Sequence, residues 1–261
     1  MTSQQVVSVL AMLFSVLGVV LSGLFSARTA RLSNEIREEA DKRKEEQSAL
    51  AAAQRVYEPL AQAAAELQSR IYNIVETGWV ALTKRYEGHG DYTVVSTAFL
   101  FAHYFGWIEA RRQSVLNSSG KGGRDDEVQD QIDGVLKILR RADDSDGFCF
   151  FSAEQRAIGE LMFFWEIVPD NGLRIPHVQG YAWFSKLYRD DSDFRKWFAP
   201  VDAGMARVAQ GDNSRLIAIQ QALVNLILEL DPTHRYTIGY ELAPISLAVG
   251  EQAHEDEAPI R

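Results

Sequence analysis

The run VVSVLAMLFSVLGVVLSGLF, Val6 to Phe25, constrains this chain more than any other stretch. It carries no charged residue over about 20 positions, the length at which a helix crosses a hydrocarbon core of about 30 Å. A secretory signal would place a basic segment ahead of a shorter apolar run. Here MTSQQ precedes the run, without Lys or Arg. The pattern predicts a transmembrane helix over 6–25 behind a short extracytoplasmic N-terminus, 1–5. Arg28, Arg31, Arg37, Lys42, Arg43 and Lys44 follow at once. By the positive-inside rule they put the C-terminal side in the cytoplasm. The expected location is the cell membrane, single-pass, with the C-terminal domain cytoplasmic. The one cysteine, Cys149, fits a reducing compartment and, between two phenylalanines, reads as a small core hydrophobe.

Inside the run, Ser8, Ala11, Ser15, Gly18 and Ser22 recur at steps of three and four. Such a small-residue face lets transmembrane helices approach closely, which points to a homo-oligomer. Gly, Ala and Ser are also common in single spans, so the pattern leaves both readings open.

From 26 to 54 the chain is charge-dense. Glu38/Lys42 and Glu39/Arg43 stand four apart with the acid first, the favourable order on a helix. The apolar heptad seam fades after Ile36, so the segment reads as a solvated helical stalk rather than a coiled coil. One helical domain is expected over 55–245, and an acidic disordered tail over 246–261. The fold class is thus all-α: an N-terminal transmembrane helix continuing into a helical stalk, then one helical-bundle domain. At 261 residues and 46% hydrophobic, the chain holds enough apolar material for a real core. Its formal net charge of -9 argues against nucleic acid as a partner, since phosphate binding needs a concentrated basic surface.

Within the domain, Leu60, Ala64, Leu67, Ile71 and Ile74 form one helical face behind Pro59. A helix rich in aromatics is expected over 92–116, and an amphipathic one carries Val128, Ile132, Val135, Ile138 and Leu139. Residues 152–168 read as a helix opened by a capping box of Ser152 and Gln155. Shorter helices are expected near 181–188 and 194–198, and a long one over 213–230 that ends before Pro232. Residues 235–249 suggest a short strand or an extended arm. The five tryptophans read mostly as core.

Sequence motifs select no chemistry. GKGG at Lys121 lacks the Ser/Thr and the preceding strand of a phosphate loop. DDSDG, ending at Gly147, leaves Ala142 and Ala153 where a calcium loop needs acids. His89, His103, His177, His234 and His254 include no i,i+4 pair of ligands. No cofactor or metal is expected.

Arg70 is the residue that asks a question. It sits at the edge of the apolar face, in a polar stripe with Glu66, Asn73 and Thr77 at helical spacing. Glu66 and Arg70 can pair at i,i+4. The stripe could face a second one, drawn from WIEARR (Glu109, Arg111, Arg112) or EQRAIGE (Gln155, Arg156, Glu160). Arg70, Glu109, Arg156 and Glu160 are therefore the candidate site residues, as a buried ion network or as a ligand pocket.

Three stretches carry a resemblance: RVYEPLAQAAAELQSRIYNI (55–74), YFGWIEARR (104–112) and QRAIGELM (155–162). Together they resemble a family of uncharacterised bacterial helical proteins with a Y-x-P-L…L-Q-x-R-I-Y-N-I motif. In the family the first element is Y-x-x-P-L or close to it, and this chain shortens it to Tyr57-Glu58-Pro59-Leu60. The resemblance implies a single helical domain and highlights the same four charged residues. It implies no activity. The functional expectation is a membrane-anchored interaction, scaffold or sensory module with an unknown protein partner. An enzyme with a site between helices is the alternative, and a membrane-associated stress or phage-defence factor a third.

Overall fold

The computed structural model describes residues 31, 33–34, 36–44, 54–78, 91–116, 123–142, 147–170 and 172–246. The chain divides into two units, Met1–Ala51 and Ala52–Arg261. In the first unit residues 36–44 are helical and exposed, and Glu39 and Arg43 pair at 3.6 Å. An ion pair this exposed contributes little stability. The apolar run 6–25, its small residues Ser8, Ala11, Ser15, Gly18 and Ser22, and the tail from 247 lie outside the described residues. Among the described residues no helix is long and apolar enough to cross a membrane.

The second unit is mostly helical. In chain order it contains α1 (54–76), α2 (Tyr92–Leu116), α3 (Gly123–Arg140), α4 (Ser152–Met162), β1 (Phe163–Ile167), β2 (Arg174–Val178), α5 (Tyr181–Asp190), α6 (Ser192–Lys196), α7 (Ala199–Ala209) and α8 (Ser214–Leu230). Two helices form its centre. On α1 the expected face is buried, and so are Ala61, Ala63, Ala65 and Gln68 around it. On α2, Val95, Phe101, Tyr104, Phe105 and Ala110 are buried on several sides. A helix covered nearly all round needs small or apolar residues on every face, and the alanines of AQAAAELQ supply them on α1. Contacts run Tyr57 to Arg111, Glu66 to His103 and Arg70 to Ser96, so the two helices are antiparallel. Helix α4 packs on α2, and α3 packs on α8.

The all-helical expectation needs one correction. Helix α4 stops at Met162, and FFWEI continues as β1, paired antiparallel with β2 from Phe163 opposite Val178 to Ile167 opposite Arg174. Aromatic and β-branched residues favour the pleated surface, and Pro169, Asp170 and Gly172 make the turn, with Gly172 at φ +66°. The hairpin's seat is close: a Cβ on Gly106 of α2 would stand 2.6 Å from a methyl of Val178 and 3.0 Å from Cβ of Met162.

Three smaller expectations also change. The reciprocal cap of α4 is made by Glu154, whose carboxylate accepts from the Phe151 N–H at 2.7 Å. Gln155 is buried instead, donating to the carbonyls of Phe150 (2.8 Å) and Leu136 (3.1 Å). Cys149 is only half-buried, while its neighbours Phe148 and Phe150 fill the core. Of the described tryptophans, Trp107 is buried, but Trp183 and Trp197 are exposed.

Candidate functional site

The charged candidates separate into two places. Glu109, only 4% exposed, accepts from the guanidinium of its neighbour Arg112 through both oxygens, one of them at 2.7 Å, and from Gln113 at 2.7 Å. Arg112 reaches Glu160 at 4.0 Å, and Glu160 pairs with Arg156 at 2.9 Å. Glu109, Arg156 and Glu160 thus belong to one network that joins α2 to α4. The two helices can meet there because Gly159 carries no side chain: a Cβ would lie 2.8 Å from the Phe105 carbonyl. Burial pushes the Glu109 carboxyl up, but the hydrogen bonds from Arg112 and Gln113 and the charges of Arg112 and Arg156 outweigh it, and the net shift is down. This network ties helices together and satisfies its own charges.

Arg70 lies elsewhere, about 18 Å along α2 from Glu109 at roughly 1.5 Å per residue. Its guanidinium donates to Ser96 Oγ at 2.6 Å and Thr97 Oγ1 at 3.4 Å, with Tyr92 and Tyr181 close by. Burial lowers its pKa against the opposing influence of Tyr92 and Tyr181. The stripe that faces Arg70 is therefore the hydroxyl-bearing start of α2, not WIEARR or EQRAIGE.

One turn back on α1, Glu66 turns towards His103 rather than Arg70. Its carboxylate stands 3.6 Å from Nδ1, and the Trp107 indole N–H donates to Nε2 at 3.2 Å. With Nε2 turned to the indole, Nδ1 is the ring nitrogen that faces the carboxylate. Phe99 stacks on the ring at 5.2 Å. The pair is partly open, with side-chain exposures of 21% for His103 and 39% for Glu66. The i,i+4 spacing of His103 and Trp107 was visible in the sequence; the partner on α1 was not, because helix pairing fixes it.

A shallow cavity of about 150 Å³ opens near the start of α2, lined by Asp91, Val94, Val95, Tyr188, Arg189, Arg195 and Asp202. Asp91 and Arg189 approach to 3.7 Å across it. Among the described residues no group of three or more His, Cys, Asp and Glu could hold a metal ion. Comparison with protein-family models, with curated proteins and with solved structures finds no match to this chain.

Proposed function

We propose that the chain is a membrane-anchored, cytoplasmic interaction module that assembles with copies of itself. In this reading residues 6–25 hold it in the bilayer, residues 26–54 space the domain, and the β1–β2 hairpin is its contact surface. The observation that carries it is apolar exposure on a firmly seated element. Phe164 is 40% exposed and Leu173 is exposed on the same face of the hairpin, while Ile167, 61% exposed, projects from the opposite face near the turn. Single exposed apolar side chains are ordinary, but several on one small element make a contact surface. A second copy is the occupant because the small-residue face of the anchor would draw two copies together. Confinement to one bilayer raises their effective concentration, so a modest patch suffices. The resulting contact would be two-fold and self-complementary.

The test is oxidative crosslinking in membranes, in a Cys149→Ser background. A cysteine introduced by Ile167→Cys should form a disulfide-linked dimer much faster than one introduced by Gly134→Cys on the exposed side of α3. Equal rates at the two sites, or an adduct with a different protein alone, would reject self-association through the hairpin.

One observation favours an enzymatic reading as the second: the partly open Glu66–His103 pair between the central helices. It moves the site of that alternative from Arg70, Glu109, Arg156 and Glu160 to Glu66 and His103. A small-molecule ligand that raises the melting temperature of the full chain but not of a His103→Gln variant would support it.

A further inference from the structure

After α8 the chain turns back over the domain. Asp231, buried at the end of α8, accepts from the backbone N–H groups of Arg235 (2.9 Å), Tyr236 (2.8 Å) and Thr237 (3.0 Å) and from the Thr237 hydroxyl (3.0 Å). That turn launches residues 238–246, which form no helix or strand.

This strap is read by glutamines. The side chain of Gln220 treats it as a strand neighbour would: Oε1 accepts from the Ile245 N–H at 3.0 Å, and Nε2 donates to the Ala243 carbonyl at 2.9 Å. Gln221 donates to the Ile245 carbonyl at 2.7 Å. From α1, Gln68 donates to the Glu241 carbonyl at 3.1 Å. Every one of these bonds goes to backbone, so the recognition accepts other sequences in an extended form. None needs an N–H at Pro244, and the proline restricts the strap to extended conformations in advance.

Side-chain anchoring is slight. Ile245 is 3% exposed, Leu242 is half-buried, and Glu241, Ala243, Pro244 and Ser246 are exposed. A segment with one deep anchor opens at low free-energy cost. The fit also leaves an acceptor idle. Gln68 is fully buried, yet its Oε1 has no hydrogen-bond partner among the described residues. A buried amide oxygen left so is unfavourable, and an occupant with an N–H in register would satisfy it.

The chain carries the anchoring triplet twice: Ala243-Pro244-Ile245 and Ala258-Pro259-Ile260, each with an acid two residues ahead, Glu241 and Asp256. We propose that the cleft lined by Gln68, Gln220 and Gln221 is a binding site for extended Ala-Pro-Ile peptide, and that the second triplet exchanges with the first for it. The second triplet comes from the same chain, because residues 246–257 are long enough to loop it back to the cleft.

Amide exchange at Ile245 in the full chain tests this. Ile260→Asp should slow that exchange severalfold by removing the competitor. A synthetic peptide of residues 253–261 at millimolar concentration should speed it severalfold, and the same peptide with Ile260→Asp should not. Slowing by Ile260→Asp that is independent of protein concentration supports exchange within one chain; slowing that grows with concentration would put the competitor on a second copy and overturn that source. A fluorescent form of the native peptide should bind an Ile245→Asp chain at least tenfold more tightly than the wild-type chain. Where that variant fails to fold, the exchange measurements decide alone. Ile245 exchange that responds neither to Ile260→Asp nor to the peptide overturns the proposal.

Discussion

Glu109 is the residue whose ionisation matters most to the fold, because its carboxylate is buried and holds Arg112 and Gln113. Its folded pKa is depressed, so the stability it contributes is present above the unfolded value of about 4.3 and is lost as pH falls through the folded value. Urea midpoints should therefore hold down to the unfolded value of about 4.3 and decline below it, and Glu109→Gln should flatten that decline. At neutral pH the same variant should lose about 1–3 kcal/mol in equilibrium unfolding, since Arg112 keeps its charge and loses the carboxylate's charge and one of its two acceptor oxygens. Tyr104 makes the opposite case. Its hydroxyl is buried without a hydrogen-bond partner among the described residues, and burial pushes the phenol pKa up. Tyr104→Phe removes a desolvated polar atom and keeps the ring's packing. Its unfolding free energy should match the wild type or exceed it by about 1 kcal/mol, where an ordinary truncation in the core would lose several.

Elements repeat the contrast through their glycines. Gly106 lies where Met162 and Val178 seat the hairpin, and there is no room for another carbon. Gly106→Ala should destabilise by about 1–3 kcal/mol and speed proteolysis at the hairpin turn. Gly134 sits exposed on α3 with nothing within 4 Å of a Cβ, so Gly134→Ala should stabilise by about 0.5–1 kcal/mol. Both changes are read by thermal melts on the full chain, and equal effects would contradict the packing described. The same distinction explains what the amino-acid sequence disclosed. Helix α8, the apolar faces of α1 and α3, and the extent of α2 were legible because a 3.6-residue period states which side is buried. The hairpin was hidden because MFFWEIV is short and apolar, and such a run suits a buried helix turn or a strand equally well. The pairing of Arg156 with Glu160 followed from their i,i+4 spacing, but their link to Glu109 on another helix did not. Nor did the separation of Arg70 from them, because it depends on which residues of α2 lie opposite α1.

At the scale of the whole molecule, the apolar run 6–25 and the basic residues after it carry the prediction of a membrane-held domain. Twenty residues without charge gain far more from lipid than the short MTSQQ segment loses by crossing, so the run should partition firmly. Deleting residues 6–25 should move the protein from alkali-resistant membranes to the supernatant. The proposed orientation rests on the cluster Arg28, Arg31 and Arg37, which would resist translocation. Protease added to inverted vesicles should therefore digest the domain, with the turn between β1 and β2 among the first sites. Protease added to right-side-out vesicles should leave it intact. Replacing Arg28, Arg31 and Arg37 together by Glu should weaken that bias and make part of the population accessible from outside. Digestion of the wild-type domain in right-side-out vesicles would put it on the other face of the membrane. The self-association through Ile167 would then have to be tested in that compartment, where Cys149 would no longer be kept reduced.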